Sequence, residues 1–349
     1  MTSQRAPNSY TCPPLCVGGL PLAGRVLLAP MSGISDWPFR RRAAEAGATL
    51  VVSEMVASER LVAREAAARL KLEGKGLPIH AVQLAGCSAQ ALADAARIAQ
   101  DAGADLIDIN MGCPAKRVMG AWAGSALMAD VVHAARLVGA VVDAVEVPVT
   151  VKMRLGLDRS RLNAPELARL VEAAGAQMVT VHGRTRAQKY KGHADWAAIR
   201  PVVDAVSIPV VANGDGASVA DARAMLALSG AAGVMVGRAA VGAPWLPGEL
   251  NAALCGAPGV LSAAPQSVAA LGDYALAHLD DLVETAGPRL GLKLARKHIA
   301  AYADRVSAPA ALRAAALTAA SVPAARSAVT ALFAAAEPAA APACVGVAA

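Results

Sequence analysis

Apolar residues in this chain gather into eight short runs: GRVLLAPM (24–31), AGATLVVSE (46–54), PIHAVQLAG (78–86), AGADLIDIN (102–110), VPVTVKMR (147–154), AGAQMVTVH (174–182), IPVVANGD (208–215) and SGAAGVMVG (229–237). Four of them share one plan: a helix stops at glycine, where the left-handed conformation is cheap, a short strand follows, and a distinctive residue closes it. The segments between carry apolar residues at helical spacing, as in SAQALADAARIAQDAG (88–103) and NAPELARLVEAAG (163–175), with Ser88 and Asn163 placed to cap the helix starts. Eight strands alternating with helices predict an α/β chain folded as a (β/α)8 TIM barrel. A doubly wound sheet is the competing arrangement. It is disfavoured because no G-x-G-x-x-G follows any strand.

At 349 residues the chain exceeds what one core holds, so a second, smaller domain is expected. Hydrophobic residues reach 56%, yet no apolar run approaches the length of roughly 18 residues needed to span a membrane. The opening MTSQRAPNSYTCPPLC lacks the apolar stretch of a secretory signal, which makes the cytoplasm the expected location. Of the six cysteines only Cys12 and Cys16 lie close together, too few ligands for zinc or an iron–sulfur cluster, and no metal is expected. The net charge of +6 permits a nucleic-acid partner without establishing one.

In a barrel of this kind the site lies at the C-terminal ends of the strands. Here those ends carry Met31, Glu54, Gln83, Asn110, Lys152, His182, Asn213 and Gly237, nearly all able to hydrogen-bond. After the last two strands come ANGDGAS (212–218) and VGRAAVGAPW (236–245). Gly214, Gly216 and Gly237 let backbone N–H groups approach an anion, and Arg238 adds a fork suited to phosphate oxygens. Lys152 and His182 suit an electron-rich ring such as that of a reduced flavin, with Gln83 and Asn110 on its edges or on a substrate. Cys113, three residues past the fourth strand, then falls where a thiol could face a substrate stacked on that ring. An ordinary thiol still holds its proton at neutral pH and can act as an acid.

Taken in order, LAPMSGISDWPFR (28–40), SEM (53–55), VQLAG (82–86), DINMGCPAKRV (108–118) with AGSALM (123–128), VKMRLG (151–156), VHGRT (181–185), VANGD (211–215) and VGRAA (236–240) resemble the tRNA-dihydrouridine synthases, the bacterial B type in particular. GLKLARKHIAAY (291–302) resembles that family's small C-terminal helical domain. The resemblance implies an enzyme that uses FMN, and NADPH as reductant, to saturate the C5–C6 bond of particular uridines in tRNA. It assigns FMN contacts to Pro30, Met31, Gln83, Lys152, His182, Asn213, Gly214, Asp215, Gly237 and Arg238. Cys113 matches the catalytic cysteine that protonates C5 while the flavin delivers hydride to C6. Asn110 matches a uracil contact, and Arg184, within a family motif, is a candidate for substrate contact. Arg186 and Lys191 are further candidates for substrate contact. Lys293, Arg296 and Lys297, at helical spacing, could share a face that grips phosphates.

The expected organisation is a variable extension over 1–19, the barrel over 20–245, a helical tRNA-binding domain over 246–310, and an Ala/Pro-rich tail over 311–349 that is disordered or loosely helical. A monomer is expected. A flavin barrel acting on a free pyrimidine such as dihydroorotate, and a non-catalytic RNA-binding or regulatory protein, remain alternatives. Trp122, in the segment after Cys113, fits substrate handling and plain packing equally.

Overall fold

In the computed structural model, which describes residues 14–114, 123–256 and 263–338, the chain opens on a hairpin of β1 (Leu15–Val17) and β2 (Leu20–Leu22). Gly18 and Gly19 form its two-residue turn, with φ of 55° and 82°, the left-handed pair that matches the twist of the flanking strands. Leu15, Val17 and Leu22 are buried against Leu27, Leu50, Ala81, Leu106, Met178, Val211 and Met235, residues near the starts of the barrel strands. The hairpin therefore stoppers the N-terminal mouth of the barrel. The expected extension over 1–19 is corrected at its inner end: LCVGGLPL is two apolar runs about a Gly-Gly turn, and it belongs to the core.

Nine parallel strands follow: β3 (Val26–Leu28), β4 (Leu50–Val51), β5 (Val56–Ala57), β6 (Ala81–Ala85), β7 (Leu106–Met111), β8 (Val149–Arg154), β9 (Met178–His182), β10 (Val210–Asn213) and β11 (Gly233–Val236). Their order in the sheet is β4-β3-β11-β10-β9-β8-β7-β6-β5. A parallel bridge between Val52 and Ala81, with the Ser53 N–H donating to the Ala81 carbonyl at 3.0 Å, joins the line begun by β4 to β6. The ring closes there. All eight predicted strands are present, and β5 is a short addition to the second.

A second set of apolar side chains, among them Leu84, Ile107, Ile109, Val151, Val179 and Val234, packs outward against the surrounding helices. Ser88 caps the helix Ala89–Asp101 as expected, accepting from the Ala91 N–H at 3.3 Å. Asn163 makes no such side-chain cap; its amide donates instead to the Met128 carbonyl at 2.7 Å. The helix Leu246–Cys255 belongs to the barrel, and the expected boundary at 245 is corrected. The Asn251 side chain ties it down, accepting from the Arg25 N–H at 2.9 Å and donating to the Gly47 carbonyl at 3.2 Å.

The second unit comprises Val241–Ala243 and the chain from Ala264 onward. Its long helix Val268–Ala303 is broken at Gly287 (φ 77°), ahead of Pro288, which cannot supply the helical N–H. The supposed tail carries two further helices, Ala310–Thr318 and Val322–Ala334. Ala325, Val329, Leu332 and Phe333 recur at helical spacing and are buried, a pattern obscured by the surrounding alanines and prolines. Among the described residues no helix is long and apolar enough to cross a membrane.

Candidate active site

Register places the rim residues before any side chain is considered. Gln83 lies opposite Asp108, Asp108 opposite Thr150, Asn110 opposite Lys152, and His182 beside both Arg154 and Asn213. Polar side chains from β6 to β10 thus converge on the C-terminal mouth, the end away from the hairpin.

Cys113 carries a free thiol and sits half-buried in the turn after β7. Its backbone is held on every side. The N–H groups of Gly112 and Cys113 donate to Asn110 Oδ1 at 3.2 and 3.0 Å, and the Cys113 carbonyl accepts from the Ser125 N–H and hydroxyl, both at 3.0 Å. The Gly112 carbonyl accepts from Arg154 Nε at 2.6 Å. The segment after Pro114, with Trp122, lies outside the described residues.

Lys152 donates to Asn213 Oδ1 at 3.0 Å, and the Asn213 amide donates to the Met235 carbonyl at 2.8 Å. Burial, then the neighbouring Arg154, lowers the Lys152 pKa to about 8, against the pull of Asp108 and Cys113. His182 is lowered to about 2, first by burial and then by Lys152, Arg154, Arg184 and Arg238. It is a neutral imidazole. Arg184 Nη1 lies 3.3 Å from His182 Nε2, and a guanidinium only donates, so Nε2 accepts and the ring proton resides on Nδ1.

Arg184, expected to touch substrate, is buried and has no N–H to spare. Its nitrogens reach Asp215 Oδ1 and Oδ2 at 2.8 and 2.6 Å, the carbonyls of Lys191 and Gly192 at 3.3 and 2.5 Å, and His182. The expectation is corrected: Arg184 positions the loop and the imidazole. Burial opposes ionisation of Asp215, but bonds from Arg184 and Ala194 and the charges of Arg184 and Arg238 outweigh it and hold the carboxyl below its usual range. Asp215 Oδ1 also accepts from Arg238 at 3.1 Å, so its task is to aim Arg238.

Gly214, Gly237 and Arg238, expected to cradle a phosphate, stand at the C-terminal ends of β10 and β11. Gly214 has φ 123°, and a Cβ there would lie 2.9 Å from the His182 ring. A Cβ at Gly237 would meet only Ala29 and the Met31 sulfur, at 3.6 and 3.8 Å, so this backbone stands open beside Met31. The Arg238 side chain is 61% exposed, with N–H groups left for an anion. Pro30 and Met31 are half-buried at the same edge, and the Met31 N–H donates to the Ser35 hydroxyl at 2.8 Å. Gln83 is 1% exposed and turned inward, donating to Asp108 at 2.7 Å and accepting from Asn110 at 2.8 Å. Glu54 leaves the site, accepting from the Gly33 N–H and pairing with Lys71 at 3.8 Å.

Two rim residues escaped the sequence reading. Arg154, two positions after Lys152 on the same strand face, donates to the carbonyls of Thr185 and Lys189 at 3.0 and 2.8 Å. Tyr190, 56% exposed, stands 5.5 Å from the Arg154 guanidinium and 5.3 Å from that of Arg238. Alternation along β8 could have revealed Arg154; nothing periodic marks Tyr190. Arg186 is half-buried and Lys191 exposed on the same loop.

Within the second unit, Lys293 and Arg296 line a groove of about 550 Å³ together with Arg289, Leu292 and the start of the helix Val322–Ala334. Lys297 is exposed but outside this groove, and Arg289 takes its place in the cationic set.

The profile of the family Dihydrouridine synthase (Dus) matches residues 27–337. A probable tRNA-dihydrouridine synthase of Rhodobacter capsulatus is 52% identical over 289 residues, which is 81% of this chain and 87% of that one. The tRNA-dihydrouridine synthase B of Xanthomonas axonopodis pv. citri is 47% identical over 82% of this chain and 86% of its own. Among solved structures, a 2-naphthoyl-CoA reductase complex is similar with a TM-score of 0.55, at 14% identity over 70% of this chain and 52% of that one. A morphinone reductase mutant in complex with tetrahydroNAD gives a TM-score of 0.50, at 15% identity over 68% and 89%. Likeness at this identity speaks for the barrel fold alone.

Proposed function

Since the chain belongs to the dihydrouridine synthase family, we propose that it reduces the C5–C6 double bond of uridines in tRNA to 5,6-dihydrouridine, with bound FMN and with NADPH as reductant. The observation that carries this reading is the convergence of Cys113, Lys152, His182 and the Gly214–Gly237–Arg238 cradle on one barrel mouth. The residues present fit FMN: open backbone at Gly237 and the spare N–H groups of Arg238 suit its single phosphate, and Lys152 with neutral His182 suits a ring that gains negative charge on reduction. FMN, when bound, supplies the hydride for C6.

The chain's own residues do the rest. Cys113 gives the proton to C5, and its turn, pinned by Asn110, Ser125 and Arg154, fixes where the thiol stands. Asn110 keeps one amide N–H beyond its bond to Gln83 for a pyrimidine carbonyl. Arg186 and Lys191 on the rim, with Lys293 and Arg296 in the second unit, meet RNA phosphates. The direct test is to incubate tRNA lacking dihydrouridine with the purified protein and NADPH, then look by mass spectrometry for uridines that have gained two hydrogens. No such nucleoside, with flavin bound and reducible, would remove the assignment.

Two outcomes follow from the contacts. Arg238→Ala should bind FMN about tenfold more weakly, as expected for one lost charge-assisted bond; unaltered affinity by fluorescence titration would move the phosphate elsewhere. Converting Arg289, Lys293 and Arg296 to glutamate should weaken tRNA binding and lower the magnitude of its log–log salt slope by about 2 to 3, while NADPH oxidation by the bound flavin holds. A wild-type slope in a filter-binding assay would show that the groove is only a solvated surface.

A further inference from the structure

Asp108 has no part in the chemistry described so far. It is buried on β7, one layer beneath Asn110, and its carboxylate contacts follow the register of three strands. Oδ1 accepts from the Thr150 hydroxyl on β8 at 2.7 Å, and Oδ2 accepts from Gln83 Nε2 on β6 at 2.7 Å. Burial pushes its carboxyl above the usual range despite those bonds and the charge of Lys152. In either protonation state Oδ2 can face Gln83 as an acceptor.

From Oδ2 a chain of amides runs to the cysteine turn. Gln83 gives its N–H to Asp108, so its Oε1 faces Asn110 and accepts from Nδ2 at 2.8 Å. Asn110 therefore turns Oδ1 toward the N–H groups of Gly112 and Cys113. Each amide has one acceptor end and one donor end, so the polarity of the whole relay depends on what anchors it. If the anchor presented a donor to Gln83, both amides would reverse and Asn110 would aim N–H at N–H beneath Cys113.

We propose that Asp108 is a positioning residue for the reduction: through Gln83 and Asn110 it fixes the direction of this relay, and so holds the Cys113 turn and the free Asn110 N–H toward the substrate. The inference rests on the proposed function for its consequence in catalysis, but the relay itself concerns only residues of this chain.

Asn at position 108 has the same shape and can keep its oxygen toward Gln83, provided the Thr150 hydroxyl turns to accept from its amide. With Val at position 150 that acceptor is gone and the direction is no longer fixed. The expected result is strong non-additivity. Asp108→Asn and Thr150→Val should each slow uridine reduction by no more than about fivefold, and together by at least about tenfold beyond the product of the two, as for groups in one network. The same pattern should appear in the rate at which iodoacetamide alkylates Cys113, followed at peptide level in the folded protein with FMN bound, and FMN affinity should not change. Simple multiplication of the two single effects in both assays would overturn the relay. If the wild-type protein reduces no uridine while Cys113 alkylation shows the coupling, the proposed reaction falls and the relay stands.

Discussion

Replacing Cys113 with alanine is expected to slow uridine reduction by about 10²- to 10⁴-fold, the usual contribution of a positioned acid, while flavin binding and its reduction by NADPH continue at the wild-type rate. The separation is expected because the turn does not depend on the thiol. Asn110, Ser125 and Arg154 all grip backbone atoms of Gly112 and Cys113, so alanine inherits the same conformation. Single-turnover measurements on the two half-reactions would resolve the effect. Wild-type oxidation of the reduced flavin by tRNA would mean that another group protonates C5, and loss of flavin would place the side chain against the cofactor instead of the substrate.

The second large effect concerns stability. Asp215→Ala should cost about 3 to 5 kcal/mol, because it strands the buried guanidinium of Arg184 without its counterion. For a unit of this size that corresponds to a fall in Tm of roughly 10 °C. Asp215→Asn should lose clearly less: an amide oxygen still accepts one N–H, and asparagine tolerates the left-handed backbone at this position, where φ is 58°. Calorimetry on the two variants decides the matter. Equal melting temperatures for the Ala variant and the wild-type protein would show that water replaces the carboxylate at no cost, and that Arg184 is less enclosed than its contacts indicate.

The barrel was legible in the sequence because each strand is an apolar run buried on both faces and four of the eight are announced by a helix-ending glycine. Both signals are local. The position of Gly214, Gly237 and Arg238 at the barrel mouth was legible for a similar reason: they sit in short loops whose place follows from strand order. Arg184 was placed among substrate contacts because sequence shows that a side chain can hydrogen-bond, not where its bonds are already spent. Its partner Asp215 lies 31 residues away. The relay beneath Cys113 depends on register between strands, and no periodicity within one strand records that. The packed helices beyond residue 310 were read as a disordered or loosely helical tail because alanine contributes to a packed face and to a disordered tail alike, and only Val329, Leu332 and Phe333 distinguish the two.

The hairpin that stoppers the lower mouth ties residues 15 to 22 to the stability of the barrel. Trimming the chain past Leu22 would bare Leu27, Leu50, Leu106, Met178 and Met235 to water, so its cost is expected in yield and melting temperature, and not at the opposite mouth where the polar side chains converge.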